Sequence, residues 1–142
     1  MRYASASLAT DVLQPSWRWP NFSVAELACR CGGRFCDRAY WHDPVFLDHL
    51  QALRGQIGRS LIVNSAHRCP QWNASVGGAP RSQHKQIAVD IAISGHDRTE
   101  LLRCSKALGF TGLGLAQTFL HLDRRRQPAT WFYPGSEQLW QI

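Results

Sequence analysis

No stretch of this 142-residue chain approaches the ~20 consecutive apolar residues of a membrane span. Met1 to Pro20 contains Arg2 and Asp11 and has no apolar run of the length a secretory leader needs. Together these predict a chain made soluble in the cytosol, without membrane insertion. Internal repeats and low-complexity segments are missing as well, which removes solenoids and long linkers from consideration. Acidic residues are few, ten against sixteen Lys and Arg, leaving a formal charge of +6. That balance favours a polyanionic partner, either nucleic acid or the anionic bacterial envelope, and does not choose between them. Cysteine occurs five times, an odd number, and never as Cys-x-x-Cys. Without a leader, a disulfide framework is not the first expectation.

Length and a 44% apolar content set one domain with a single modest core. Residues 1–20 show no periodicity and end in Pro15-Ser-Trp-Arg-Trp-Pro20, which predicts an extended N-terminal arm ahead of a domain over 21–142. Ser23 and Glu26 form a capping box. Asp43-Pro44 opens a helix carrying Phe46, Leu50, Leu53 and Ile57 on one stripe, and Gly58 ends it. Leu61 to Val63 reads as a buried strand and Cys69-Pro70 as the start of a short helix. Val89, Ile91 and Ile93 alternate with Asp90, a strand pattern that puts Asp90 on the opposite face. Asp97 caps a further helix ended by Gly109, and strand candidates follow at 110–115, 119–123 and 131–133. Helices first and antiparallel strands later predict an α+β domain, its sheet carrying helices on one side.

Two polar interruptions of apolar strands carry the functional signal. Asp90 would cost several kcal/mol if buried alone. His121 repeats the pattern in Phe119-Leu-His121-Leu-Asp123, where His121 and Asp123 share a face. With His84 in the loop before the first strand, they supply two imidazoles and a carboxylate. Those are the protein ligands of an open zinc site on the sheet, with a fourth position left for water. Cys29, Cys31 and Cys36, in a Gly-rich loop, form a second cluster. Cys69 is the best-placed fourth ligand for a structural zinc, the alternative being free or oxidised thiols. Six Trp leave some available to line a groove.

Ser82-x-His84 with Ala88-Val89-Asp90-Ile91, then Phe-Leu-His121-Leu-Asp123, resembles the zinc D-alanyl-D-alanine carboxypeptidases and L-alanyl-D-glutamate endopeptidases, phage endolysins among them. Asn64-Ser65-Ala66-His67-Arg68-Cys69-Pro70, Asn73 and Gly77-Gly78 match the segment that precedes the histidine motif there. Trp131-x-Tyr133 fits the C-terminal part. The resemblance implies Zn2+ held by His84, Asp90 and His121 and hydrolysis of a peptidoglycan stem peptide, with Arg68 binding a substrate carboxylate or carbonyl. Ser82 either bonds near the metal or shapes its turn. Asp123, the one acidic residue beside a ligand that is not itself a ligand, is the favoured general base; its other available role is to orient an imidazole. The family usually has one more residue, and a Gly, between His84 and Asp90. One deletion reverses faces within a strand, so the loop at Lys85 to Ile87 is expected to absorb it. The family's alternative acidic position, three residues before the last histidine, is Thr118 here.

Two other functions fit parts of the pattern: a peptidoglycan-binding module of the same fold that does not cut, and a zinc-ribbon nucleic-acid binder. The second leaves His84, Asp90 and His121 unexplained, so no specific nucleic acid is expected. Small size and cytosolic synthesis point to a monomer that reaches the cell wall by phage-assisted release.

Overall fold

The computed structural model describes residues 1–140. In chain order the elements are β1 (Arg2–Tyr3), α1 (Ala6–Leu13), α2 (Val24–Leu27), β2 (Tyr40–Trp41), α3 (Pro44–Ile57), β3 (Val63–Ser65) and α4 (Pro70–Ser75). They continue with β4 (Val89–Ala92), α5 (Arg98–Ala107), β5 (Gly112–Leu115), β6 (Phe119–Asp123) and β7 (Ala129–Phe132). The main sheet runs β3-β4-β6-β5-β7, antiparallel except for the parallel pair β5–β7. This is the α+β architecture that the element pattern predicts. Among the described residues no helix is long and apolar enough to cross a membrane.

The helices begin and end where their chemistry says they should. Asp43 accepts from the Phe46 amide and Gly58 closes α3 in the left-handed region at φ 72°. Ser23 and Glu26 complete the capping box of α2. Asp97 accepts from Glu100 at the head of α5. Phe46, Leu50, Leu53 and Leu101 bury against Ile91, Leu113, Leu115, Leu120 and Leu122, which project from one face of the sheet. The other face of β4 and β6 carries Asp90, His121 and Asp123.

Two expectations need correction. Residues 1–20 are not an extended arm. Ser5 accepts from the Leu8 amide and caps α1, whose Ala6, Ala9 and Leu13 join the core. β1 pairs with β2, tying the segment to the domain. Ala6, Leu8, Ala9, Val12 and Leu13 lie on one side of α1, but the helix is only eight residues long, shorter than the window in which such a period is read. The strand predicted at 61–63 instead covers Val63–Ser65, with Ile62 59% exposed, because β3 is an edge strand that meets β4 through a register shift.

Candidate metal centre and cleft

Asp90 and His121 are direct cross-strand partners in the β4–β6 register. Cβ atoms at such a pair lie about 5 Å apart, close enough for their side chains to converge. His84 comes from a short 3-10 turn, Gln83–Lys85, opened by Ser82, whose hydroxyl accepts from the His84 amide at 3.1 Å. The Arg68 amide donates to the His84 carbonyl at 2.6 Å, fixing the turn to the loop after β3. Gln86, between that turn and β4, has φ −111° and ψ −103°, neither helical nor extended.

Three ligand atoms then meet. His84 Nε2 is 3.1 Å from Asp90 Oδ1, His121 Nδ1 is 3.0 Å from the same oxygen, and the two nitrogens are 3.2 Å apart. The far sides of the rings decide the tautomers. His84 Nδ1 lies 2.7 Å from the Ala66 carbonyl, which only accepts, so that nitrogen carries the proton. His121 Nε2 lies 2.7 Å from Asp123 Oδ2 and donates to it. With these tautomers, and with both rings neutral as metal ligands must be, two bare nitrogens and a carboxylate oxygen turn toward one point. A cation resolves that arrangement. Donor atoms ~2.1 Å from a tetrahedral zinc would stand roughly 3.4 Å apart, so the triangle fits with little movement. All three residues are buried.

Burial alone would raise the Asp90 carboxyl, but in the ion-free site hydrogen bonding and charge from the His121 and His84 rings outweigh it and hold the group well below the usual carboxylate range. His121 is opposite: burial lowers it, and Asp123 and Asp90 outweigh that and raise it. At Asp123 the burial effect is outweighed by Arg125, then by His121, and the carboxyl is again held low.

Asp123 does not stand where a general base is expected. It is 0% exposed, lies beyond His121 from the ligand triangle, and is clamped by the Arg125 guanidinium at 2.5 Å. It has no face on the cleft and does not reach a water there; its contacts are those of a carboxylate that orients an imidazole. Thr118 does not replace it, being exposed in the turn before β6.

The triangle forms the floor of a cleft of about 520 Å³. Arg68 lines it, with Nη2 3.7 Å from Asp90 Oδ2 and its other nitrogens bonded to Ser65 and Asn73. Ser82 lines it too, though its hydroxyl is spent on the turn. Arg81, Arg125, Trp131 and Tyr133 complete the wall. The Arg125 guanidinium stacks 4.6 Å over Trp131 while holding Asp123. Burial raises the Tyr133 phenol, and the Asp90 charge adds to this. The missed signal is Gly112-Leu-Gly114-Leu. A side chain at Gly112 would overlap the Asp123 carboxylate, and one at Gly114 would come within 2.8 Å of Trp131 and Tyr133. Cys29, Cys31, Cys36 and Cys69 converge on a separate point, while Cys104 is buried alone in the main core.

A family model described as Peptidase M15 matches residues 20–123. No curated protein matches the chain. The family match spans well over half of the sequence and takes in His84, Asp90, His121, Asp123 and Arg68. With that match on an intact ligand triangle, the chain belongs to the Peptidase M15 family of metal-dependent peptidases.

Proposed function

We propose that this protein is a zinc peptidase that hydrolyses a peptide bond in bacterial peptidoglycan stem peptides. The observation that carries the reading is the triangle of bare acceptors at the floor of a cationic cleft. Nitrogen and oxygen donors in threes, with a fourth position open, suit zinc. When bound, zinc polarises the scissile carbonyl and acidifies water at neutral pH. The Ala66 carbonyl and Asp123 keep the two imidazoles in the liganding tautomer. Arg68 offers a planar guanidinium, half engaged and facing the cleft, that suits a stem-peptide carboxylate. Arg81 and Arg125 add charge of the same sign, and Tyr133 offers a protonated phenol to a carbonyl oxygen. Phage-assisted delivery to the wall is part of the proposal.

One observation favours a second reading. Among the described residues the cleft holds no carboxylate besides Asp90, so no side chain stands ready as a dedicated general base. A positioned base contributes about 10²–10⁴-fold to rate. A wall-binding module that has lost hydrolysis would look like this. Incubating the zinc-loaded protein with purified muropeptides and reading new termini by mass spectrometry separates the two. New termini at D-Ala-D-Ala or at L-Ala-D-Glu support the peptidase and name the bond. Muropeptides retained but uncut support the binding module.

A further inference from the structure

We infer that Cys29, Cys31, Cys36 and Cys69 form a second, structural zinc site, independent of the His84-Asp90-His121 centre. Their four sulfurs all lie within 4.8 Å of one another, although the residues span forty positions of sequence. Cys31 and Cys36 sulfurs are 3.5 Å apart. That is far beyond a disulfide bond of about 2.05 Å and close to the roughly 3.8 Å between sulfurs around one zinc. Two disulfides would draw the sulfurs into two separate pairs. A shared ion holds all four around one point.

The surroundings are those of a thiolate site. The Cys69 amide points at the Cys29 sulfur at 3.3 Å, and the Ala39 amide at the Cys36 sulfur at 3.5 Å. Gly32 and Gly33, both at positive φ, turn the loop directly after Cys31. Amide donors aimed at sulfur stabilise negative charge there. Zinc bound by four thiols displaces their protons and leaves a centre of net charge −2. The same loop carries Arg30, Arg34 and Arg38 against Asp37 alone.

The loop also needs such a site. From Ala28 to Ala39 it has no helix or strand, and its one large apolar side chain, Phe35, is 40% exposed. Between its end residues Ala28 and Ala39 its buried members are Cys29 and Cys31, which with Cys69 form a cluster apart from the main core, half-buried Cys36 and Trp72 packing against it. A tetrathiolate metal supplies the folding energy that side-chain burial does not. Cys69 directly follows Arg68 and caps α4, so the site pins the Cys29–Ala39 loop to the segment that carries the cleft arginine.

Metal content of protein purified under reducing conditions tests this, read alongside a His84→Ala/His121→Ala variant that removes the other centre. The expected result is one zinc equivalent retained in that variant and a second one in the parent chain. Reloading the same variant with cobalt(II) should give the intense near-ultraviolet thiolate-to-cobalt band, and Cys31→Ser/Cys36→Ser should abolish it. Absence of that band from both the parent chain and the histidine variant would overturn the site. So would an intact mass showing disulfides among these cysteines in the reduced preparation. Zinc lost from the histidine centre alone would count against the proposed peptidase and leave the thiolate site standing.

Discussion

Asp90 and Asp123 are both buried carboxylates on the same sheet face, and what distinguishes them is which side of His121 each occupies. Asp90 meets Nδ1, where the cation would sit; Asp123 meets Nε2 and is sealed by Arg125. Alanine at His84, Asp90 or His121 should each abolish metal binding at this centre, read by metal analysis after dialysis. Asp123→Ala should weaken metal affinity by about 10–100-fold, measured by chelator competition, because the imidazole loses the partner that holds its tautomer. Full affinity with lost turnover would return Asp123 to proton transfer. His67 supplies a pH effect. Its ring is buried with Nε2 unpartnered, and burial lowers its pKa from the ordinary 6.5, with the Gln86 carbonyl opposing. The unfolded ring takes a proton that the folded ring refuses, so stability is full above the unfolded value and falls as pH drops toward the folded one. In metal-free protein, His67→Gln should flatten the decline in melting temperature between about pH 7 and pH 5. Equal slopes in the two proteins would exclude His67 as its source.

At the scale of elements, β5 alternates by necessity. Its leucines enter the core, and its glycines leave room for Asp123 on one side and for Trp131 and Tyr133 on the other. Gly112→Ala should cost about 1–3 kcal/mol as overpacking and displace Asp123, lowering both melting temperature and metal affinity. Gly55 is the control: it sits exposed in α3 with open space around its Cα, so Gly55→Ala should stabilise by about 0.5–1 kcal/mol. Denaturant titration of both variants checks the pair, and a stable Gly112→Ala protein with unaltered affinity would refute the packing account. α3 was legible because Asp43, Pro44, one apolar stripe and Gly58 all agree. α1 was not, since its apolar side runs over only eight residues. β3 was displaced because an edge strand's register is set by its neighbour β4.

Over the whole molecule, the two candidate cation sites tie sequence-distant loops to one sheet, so metal occupancy is coupled to folding. Chelation should lower the melting temperature, by an amount equivalent to about 2.7 kcal/mol if the free ion had stood at a hundredfold excess over its dissociation constant. A melting curve indifferent to chelator would mean neither site holds metal. Caps, strand alternation and the three metal-facing residues could be read from residue order alone, because those signals are local: a cap acts within three residues and a strand face repeats every two. Arg125 as the clamp on Asp123 and the aromatic wall could not, and the choice between Asp123's two roles and between a shared ion and free thiols at the four cysteines stayed open. Each depends on a distance between segments that only packing brings together, and on which side of a ring a partner lands. Spacing along the chain carries neither.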